Sequence, residues 1–472
     1  MGGRPPPPVW SLPYNSHMLS RRRFLISAAA TAPVLALQAQ EKPVPAKDAK
    51  ESPTPALPAA ILALADRRKD IVPITTEERE TRLDLARELM KQYKIDAVVI
   101  TTGASMQYFT GSRWGQSERL FAFVIPVAAA PFAILPYFEH DRYAEISLKF
   151  PERDSILSYR WQENEDPYAA LRAGLVEAGI TTGNLGIEEH TQFAFSNAIA
   201  IACPAIKLVS ATPVTAGCRS LKSPAELACL RLANAITIDV YKAAYLSCGP
   251  GDTNHRFTEL INLGYARSGV QGEASCQVAE NSAVPHGTSK PQVIREGEMV
   301  LIDDGCTVDG YTSDISRSFV YGTASDLQRE VFQTVHNAQS AALAAAHPGA
   351  EMQAVDAAAR EVIAKAGYGP AYTYFTHRVG HGIGLDMHEW PYLVAGNTQK
   401  LAPGMLFSNE PGIYLPNKFG IRLEDDMLIT EQGAELLTPQ SPSLTDPFGI
   451  AAQSSEPAAS KTEEKPAGQP KD

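Results

Sequence analysis

The sequence has little of what a disulfide framework or a structural zinc site requires. Its 472 residues include six cysteines, and no two of them form a C-x-x-C pair or have the spacing of zinc ligands. A chain of this length can bury sizeable hydrophobic cores without disulfides. We therefore expect the cysteines to be free thiols, mostly buried.

Positive charge is also scarce. The chain has 42 Lys and Arg against 53 Asp and Glu, which gives a formal net charge of −11 at pH 7. The phosphates of nucleic acids and anionic membranes repel an acidic protein. The composition therefore argues against nucleic acid as a partner and is typical of a soluble enzyme.

A long apolar run that would span a bilayer comfortably is missing as well. At the N-terminus, within residues 1–39, the stretch SRRRFL precedes a short alanine-rich run and small residues, which resembles a bacterial twin-arginine export signal. This resemblance implies an exported protein, periplasmic or secreted, without a stable transmembrane span after processing. A membrane anchor or a disordered basic arm is the alternative. Cleavage after Ala36 or Ala39, and a true start at Met18, stay open.

The rest of the chain divides by composition and periodicity. A capping box at Thr75 begins a helix, the apolar run 96–100 predicts a buried strand, and the alternation continues to about residue 215. A second capping box, at Ser223 with Pro224 and Glu226, begins the next domain. The predicted units are a disordered linker at 40–70, an α/β domain at 71–218, a larger domain at 219–446, and a disordered tail at 447–472.

Four aspartates lie within the twelve letters DDGCTVDGYTSD, which begin at Asp303. Asp309-Gly310 predicts a two-residue hairpin turn, so that Val308 pairs with Tyr311 and Asp303 lies opposite Ser316.

This register decides which of the four carboxylates converge. It places Asp303 and Asp314 on one face of the hairpin, while Asp304 points away and Asp309 lies in the turn. Two buried carboxylates on one face repel each other unless a cation or a proton lies between them. A metal site and a solvated strand face are the two interpretations, and the apolar neighbours Ile302, Ile315 and Phe319 favour burial.

Further candidate ligands follow downstream. His377, His381 and His388 lie among glycines in HRVGHGIGLDMHE, and the missing Glu after His377 excludes the zinc-protease helix. A second apolar hairpin over 406–430 carries Glu410, Glu424, Asp425 and Asp426. Because of the Pro411-Gly412 kink, the sequence does not decide on which face of the hairpin each of these four side chains lies.

The motifs IDDGCTVDGYTSDISRSF, GHGIGLDMHE, NEPGIY and GIRLEDDM together resemble the M24 metallopeptidases, over roughly 219–440. That family includes Xaa-Pro aminopeptidases, Xaa-Pro dipeptidases (prolidases) and methionine aminopeptidases. The resemblance implies an α+β fold, in which a pita-bread (creatinase/aminopeptidase) catalytic domain follows a smaller α/β creatinase-type N-terminal domain. Methionine aminopeptidases lack such an N-terminal domain.

By this resemblance, five residues hold two divalent metal ions: Asp303, Asp314, His381, Glu410 and Glu424. Asp314 and Glu424 would bridge the ions, and Glu410 would also be the general base. An oxygen-rich set suits Mn²⁺ best, with Co²⁺ or Zn²⁺ as alternatives. Such a pair of ions polarises a carbonyl and lowers the pKa of a water.

The resemblance also implies roles for four neighbouring residues. His286 and His388 would be catalytic, binding substrate and stabilising the tetrahedral intermediate or shuttling protons. His377 would line the proline pocket. Arg422, also at the substrate site, would orient Glu424 or another carboxylate through a forked hydrogen-bond pair. Asp304, Asp425 and Asp426 would bind no metal.

The implied activity is hydrolysis of the peptide bond between an N-terminal residue and proline, by a homodimer. Aminopeptidase and dipeptidase stay open, as do the native metal and the preferred first residue. The alternatives are a metal-independent, creatinase-like C–N hydrolase and a non-catalytic binding protein on the same fold. The intact series of five ligands argues against both.

Overall fold

The computed structural model describes residues 57–147, 149–150, 156–285 and 287–450. The predicted signal region 1–39, the first part of the linker, nearly all of the tail and His286 therefore lie outside the described residues. No helix among the described residues combines the length and the apolar character that crossing a membrane requires.

The α-helices are α1 (Ala59–Leu62), α2 (Thr76–Tyr93), α3 (Gly103–Thr110), α4 (His140–Ser147), α5 (Pro167–Glu177), α6 (Phe193–Ala202), α7 (Thr212–Ser220), α8 (Pro224–Tyr245), α9 (Asn254–Ser268), α10 (Asp326–Ala345) and α11 (Met352–Ile363). The β-strands are β1 (Ala97–Ile100), β2 (Ala122–Pro126), β3 (Phe132–Pro136), β4 (Leu157–Trp161), β5 (Gly183–Ile187), β6 (Ile206–Ser210), β7 (Gln271–Gly272), β8 (Ser275–Val278), β9 (Met299–Asp303), β10 (Cys306–Val308), β11 (Tyr311–Thr312), β12 (Arg317–Val320), β13 (Gly380–Gly382), β14 (Glu389–Leu393), β15 (Leu406–Asn409), β16 (Gly412–Leu415), β17 (Phe419–Arg422), β18 (Asp425–Ile429) and β19 (Ala434–Leu436).

The N-terminal domain is built on a six-stranded mixed sheet with the order β4-β3-β2-β1-β5-β6. Alternate residues of β1 enter two different cores, with Val98 and Ile100 on one face and Ala97 and Val99 on the other. Because the sheet is covered on both faces, its central strand reads as a continuous apolar run. The predicted α/β architecture and the strand at 96–100 agree with this sheet.

The helix starts follow the capping signals in the sequence. The Thr75 side chain accepts a hydrogen bond from the Glu78 N–H at the start of α2. At the start of α8, Ser223 and Glu226 form a complete capping box with Pro224 in the first turn. These caps satisfy backbone N–H groups that have no partner within the helix.

The structure differs from the predicted disordered linker at residues 57–70. The short helix α1 lies here, and its Ile61 is fully buried in the core that α8 and α9 also form. The Arg67 N–H donates to the Ser268 carbonyl at 2.9 Å. A few apolar side chains therefore fix a segment whose Pro and Ala content suggested disorder.

The larger, C-terminal domain has two main cores, each associated with one pair of helices. The α8–α9 pair contributes Val240 and Phe257 to the core that includes Ile302 and Val308. The α10–α11 pair packs against a core that includes Phe407. Both cores back onto hairpins that carry the predicted ligands.

The first of these hairpins has the predicted register. Val308 pairs with Tyr311 and, beyond an interruption, Ile302 pairs with Arg317. Continuing this register places Asp303 opposite Ser316. The ladder breaks into two sheets between these pairs, at Asp304, whose φ is 87°.

The second hairpin breaks in the same way. Asn409 pairs with Asp425 in one sheet, and Gly412 pairs with Arg422 in a separate two-stranded sheet. One register therefore runs through the Pro411 kink, and it places Glu410 opposite Glu424. The structure thereby settles the question of faces that the sequence left open.

Candidate metal centre

The five predicted ligands come together in two overlapping groups. Candidate ligand atoms of His381, Glu410 and Glu424 lie within 4.8 Å of one another, and so do those of Asp303, Asp314 and Glu424. All five side chains line one cavity of about 170 Å³. Residues up to 121 positions apart in the chain therefore converge, and Glu424 belongs to both groups.

The His381 ring is oriented with one nitrogen toward the carboxylates. Its Nδ1 lies 3.1 Å from the Gly382 carbonyl, so we assign the ring proton to Nδ1. The Nε2 lone pair then faces Glu410 Oε1 at 3.4 Å and Asp314 Oδ2 at 3.6 Å. Burial lowers the pKa of His381 well below its usual value. A neutral imidazole held in this way is a suitable metal ligand.

The carboxylates crowd one another in a buried space. Burial, with the neighbouring carboxylates, raises the pKa values of Asp314 and Glu424 well above their usual range. Burial likewise raises the pKa of Glu410 to about 7, although the Arg422 charge opposes the shift. Four carboxylates and one imidazole form a hard, oxygen-rich donor set. The residues present therefore fit divalent cations, whose charge would offset the repulsion.

Arg422 holds one side of the cluster. Its guanidinium contacts Asp303 Oδ2, its Nε donates to the Ser316 hydroxyl at 2.7 Å, and Nε lies 3.8 Å from Glu424 Oε2. The Ser316 hydroxyl in turn lies within hydrogen-bond distance of Asp303 and Glu424. Arg422 therefore pairs directly with Asp303. The sequence had left open whether Arg422 orients Glu424 or a neighbouring carboxylate.

The three aspartates without an assigned metal role have other hydrogen-bond or ion-pair partners. Asp304 accepts a hydrogen bond from the Ser275 N–H at 2.8 Å. Asp425 forms a buried ion pair with Arg317, with 2.6 Å between Nη2 and Oδ1.

Asp426 contacts the backbone of Asp314, one of the predicted ligands. It accepts from Asn234 Nδ2 at 2.7 Å and from the Asp314 N–H at 3.4 Å, and burial raises its pKa to about 8. It therefore helps to place the Asp314 backbone. The sequence placed Ser316 opposite Asp303, but the roles of Arg317 and Asn234 as partners of Asp425 and Asp426 were not predicted.

The predicted histidines have different surroundings. His377 Nε2 lies 2.7 Å from the Tyr414 hydroxyl, and Nδ1 lies 2.8 Å from the Arg378 carbonyl and 3.5 Å from Glu410 Oε2. Burial, with the Arg422 charge, lowers the pKa of His377 to about 3, so this ring is neutral. His377 lines the cavity that holds the cluster.

His388 lies at the edge of the site. Its ring centroid is 4.1 Å from that of His381, and its side chain, exposed to solvent, can join Asp314 and His381 in a third possible ligand group. A second cavity of about 220 Å³ begins at His388 and extends to His190 of the N-terminal domain. His286, the other predicted catalytic histidine, is not among the described residues.

An arginine of the N-terminal domain reaches the turn that carries His388. Arg219, at the end of α7, pairs with Asp386 at 2.7 Å and with Glu389 at 2.5 Å. The Asp386 N–H also donates to Glu389 Oε1 at 3.1 Å. No pattern in the sequence indicates this arrangement, since Arg219 and Glu389 are 170 positions apart.

Comparison with known proteins places these features in a family. The model of metallopeptidase family M24 matches residues 228–431, and that of the creatinase/prolidase N-terminal domain matches residues 82–221. An Xaa-Pro dipeptidase of Lactobacillus helveticus is 31% identical over 346 residues, which cover 70% of this chain and 88% of the relative. The chain belongs to metallopeptidase family M24.

Solved structures agree with this assignment. The dipeptidase PepE of Mycobacterium ulcerans is 31% identical with a TM-score of 0.73, over 78% of this chain and 97% of that one. An X-Pro aminopeptidase of Thermotoga maritima is 28% identical with a TM-score of 0.63, over 75% of this chain and 96% of that one.

These similarities confirm the predicted family, enzyme class and fold. The M24 peptidase is a hydrolase, and its fold is a pita-bread catalytic domain preceded by a creatinase-type N-terminal domain.

Proposed function

We propose that this M24 peptidase is metal-dependent and hydrolyses Xaa-Pro dipeptides at the bond before proline. The observation that carries the proposal is the pair of overlapping ligand groups that share Glu424. The L. helveticus relative, named for cleavage of such dipeptides, supports the choice of substrate. A creatinase-like reaction without metal would leave the buried carboxylate cluster without a function.

The five residues would hold a pair of divalent cations, with Mn²⁺ as the first choice and Co²⁺ or Zn²⁺ as alternatives. Glu424 belongs to both ligand groups, with Asp303 and Asp314 in one and His381 and Glu410 in the other. When bound, the cations would supply Lewis acidity toward the peptide carbonyl and would lower the pKa of a water.

Residues of the chain would then move the protons. The Glu410 carboxylate borders the cavity and would take a proton from the attacking water. The proline nitrogen must gain a proton as the C–N bond breaks, because it leaves as an amine. Glu410 would return this proton, and the exposed His388 at the cavity edge would stabilise the developing charge on the carbonyl oxygen. His377 and Arg422 would hold the carboxylates in place.

A Xaa-Pro aminopeptidase is the second candidate, since the T. maritima structure carries that activity in its description. Metal-free protein would be assayed with Ala-Pro, Ala-Pro-Ala and Ala-Ala, before and after addition of Mn²⁺. Metal-dependent cleavage of Ala-Pro alone supports the dipeptidase, and faster cleavage of Ala-Pro-Ala supports the aminopeptidase. Cleavage without metal, or equal cleavage of Ala-Ala, contradicts the proposal.

We also propose that the enzyme is exported and forms a homodimer. Export predicts that a bacterial host retains the protein when Arg21 and Arg22 are both replaced by Lys, and that mass spectrometry finds a shortened N-terminus on the exported form. Sedimentation of the purified protein would test the homodimer. A single species at the mass of one chain, 50.9 kDa, would contradict it.

A further inference from the structure

Two arginines line the cavity that holds the carboxylate cluster, and their surroundings differ. Arg422 is fully engaged, with hydrogen bonds to Asp303, Ser316, Tyr414 and the Pro285 carbonyl. Among the described residues, none accepts a hydrogen bond from the Arg378 guanidinium, and none forms an ion pair with it. Arg378 therefore brings donors to the cavity that the protein itself does not use.

The position of Arg378 is nevertheless defined. Its guanidinium lies over the Tyr392 ring, 4.1 Å from the centroid, which supports a cation by stacking. Tyr392 pairs with His381 across β13 and β14, so the platform lies beside a ligand-bearing strand. Arg378 also lines the same cavity as Glu410. The guanidinium is thus held close to the candidate reaction centre.

The cavity has room beyond the cluster on this side. Tyr392 also lines the second cavity, which meets the first at His388. An anionic group of a ligand would be repelled by the four carboxylates, and Arg378 is the cation available to it there. A planar guanidinium with free donors fits a carboxylate through two parallel hydrogen bonds.

We propose that Arg378 binds a carboxylate of the substrate and thereby determines specificity. The inference rests on the proposed function, because a Xaa-Pro dipeptide always carries a carboxylate on its proline, one residue beyond the bond that is cleaved. A longer peptide has an uncharged amide at that place. An acidic side chain on the first residue is the other possible source of the same group.

The test compares the Arg378→Gln and Arg378→Lys variants with the wild type, all loaded with Mn²⁺. One pair of substrates, Ala-Pro and Ala-Pro-amide, differs only at the C-terminal carboxylate. A second pair, Asp-Pro-amide and Asn-Pro-amide, differs only in the charge of the first side chain. Arg142→Gln is the matched control, because Arg142 also lies over an aromatic ring, that of Trp114 at 4.3 Å, but in the N-terminal domain.

We expect Arg378→Gln to lose about 10- to 100-fold in kcat/KM on Ala-Pro, the size of a lost charge-assisted hydrogen-bond pair. Activity on Ala-Pro-amide should change less than about 3-fold, and Arg378→Lys should keep part of the preference. The ratio between paired substrates is the readout, since partial misfolding lowers both members equally. Metal content measured on the same samples shows whether the ligands are intact.

The outcomes separate the possible errors. A selective loss on Ala-Pro assigns the guanidinium to the C-terminal carboxylate, and a selective loss on Asp-Pro-amide assigns it to the first side chain. Equal losses on all four substrates, or no loss, overturn the inference while the wild-type activity still supports the proposed function. A metal-loaded wild type that cleaves none of the four overturns the proposed function itself.

Discussion

Replacing Arg219 with Met should destabilise the protein and displace the turn that carries His388. Arg219 is 4% exposed. Its Nη2 lies 2.7 Å from Asp386 and 2.5 Å from Glu389, and Nη1 donates to the Ser105 hydroxyl at 3.2 Å. This one side chain of the N-terminal domain thus joins both acids on either side of His388.

The size of the effect follows from what the substitution leaves behind. Glu389 is 4% exposed, and its remaining cation would be Lys222, with 3.4 Å between Nζ and Oε2. Breaking a buried ion pair by removing one partner costs about 3–5 kcal/mol. Because Lys222 remains and the Asp386 side chain is 34% exposed, we expect the lower end, about 3 kcal/mol.

The loss of unfolding free energy in Arg219→Met should depend on pH, and the direction of this dependence can be derived. Burial raises the pKa of Glu389, but Arg219 and Lys222 outweigh this and hold it below its usual value. A carboxyl with a lowered folded-state pKa contributes stability above its unfolded-state pKa, and loses it as the pH falls through the folded-state value. The difference between wild type and Arg219→Met should therefore be full at about pH 7 and shrink below about pH 4.5.

Urea unfolding followed by tryptophan fluorescence measures this difference across pH. Arg231→Met is the matched control, because Arg231 pairs with Glu435 at the surface, where both side chains are nearly half exposed and the pair is worth at most about 1 kcal/mol. Metal content should stay unchanged in Arg219→Met while kcat falls, since His388 moves and the five ligands do not. A cost no larger than that of Arg231→Met, or one independent of pH, would refute the reasoning.

Three further predictions concern the cluster and its support. Removing divalent cations with a chelator should abolish peptidase activity and lower the melting temperature, and Mn²⁺ should restore both; activity that survives complete removal contradicts the metal-dependent function. Glu424→Gln should lose bound metal, yet its metal-free form should melt no lower than the metal-free wild type, because a carboxylate that repels Asp314 is gone; calorimetry of both forms decides this. Arg317→Met should cost about 3–5 kcal/mol in urea unfolding, and Arg317→Met with Asp425→Asn should recover part of it, since the single change leaves a buried carboxylate unpaired.

Local signals in the sequence predicted those parts of the site that depend on local backbone geometry. A two-residue Asp-Gly turn fixes the pairing of the strands around it, so the register from Val308 back to Asp303 was correct. No such turn specifies the second hairpin, where Pro411 removes a backbone donor. The relation of Glu410 to Glu424 therefore needed the structure.

Long-range partners could not be predicted from the same signals. Arg219, Arg317 and Arg378 act on groups that lie elsewhere in the sequence or on the opposite side of a strand, and an arginine has no pattern that reveals its partner. The order of the linker segment was missed for a related reason. One apolar side chain, Ile61, is buried by helices more than 160 positions away, and composition does not record this contact.

The registers of the two hairpins explain how one small cavity can hold so many acids. Successive side chains of a strand alternate between faces, and residues opposite each other share a face. The first register therefore places Asp303 and Asp314 on one face, and the second places Glu410 opposite Glu424. The same hairpins supply two arginines that hold these acids in place: Arg422 pairs with the Asp303 carboxylate, and Arg317 donates to the Glu424 carbonyl and to Asp425. The fold thus fixes the carboxylates before any cation arrives, and the cost of their repulsion becomes a driving force for binding one.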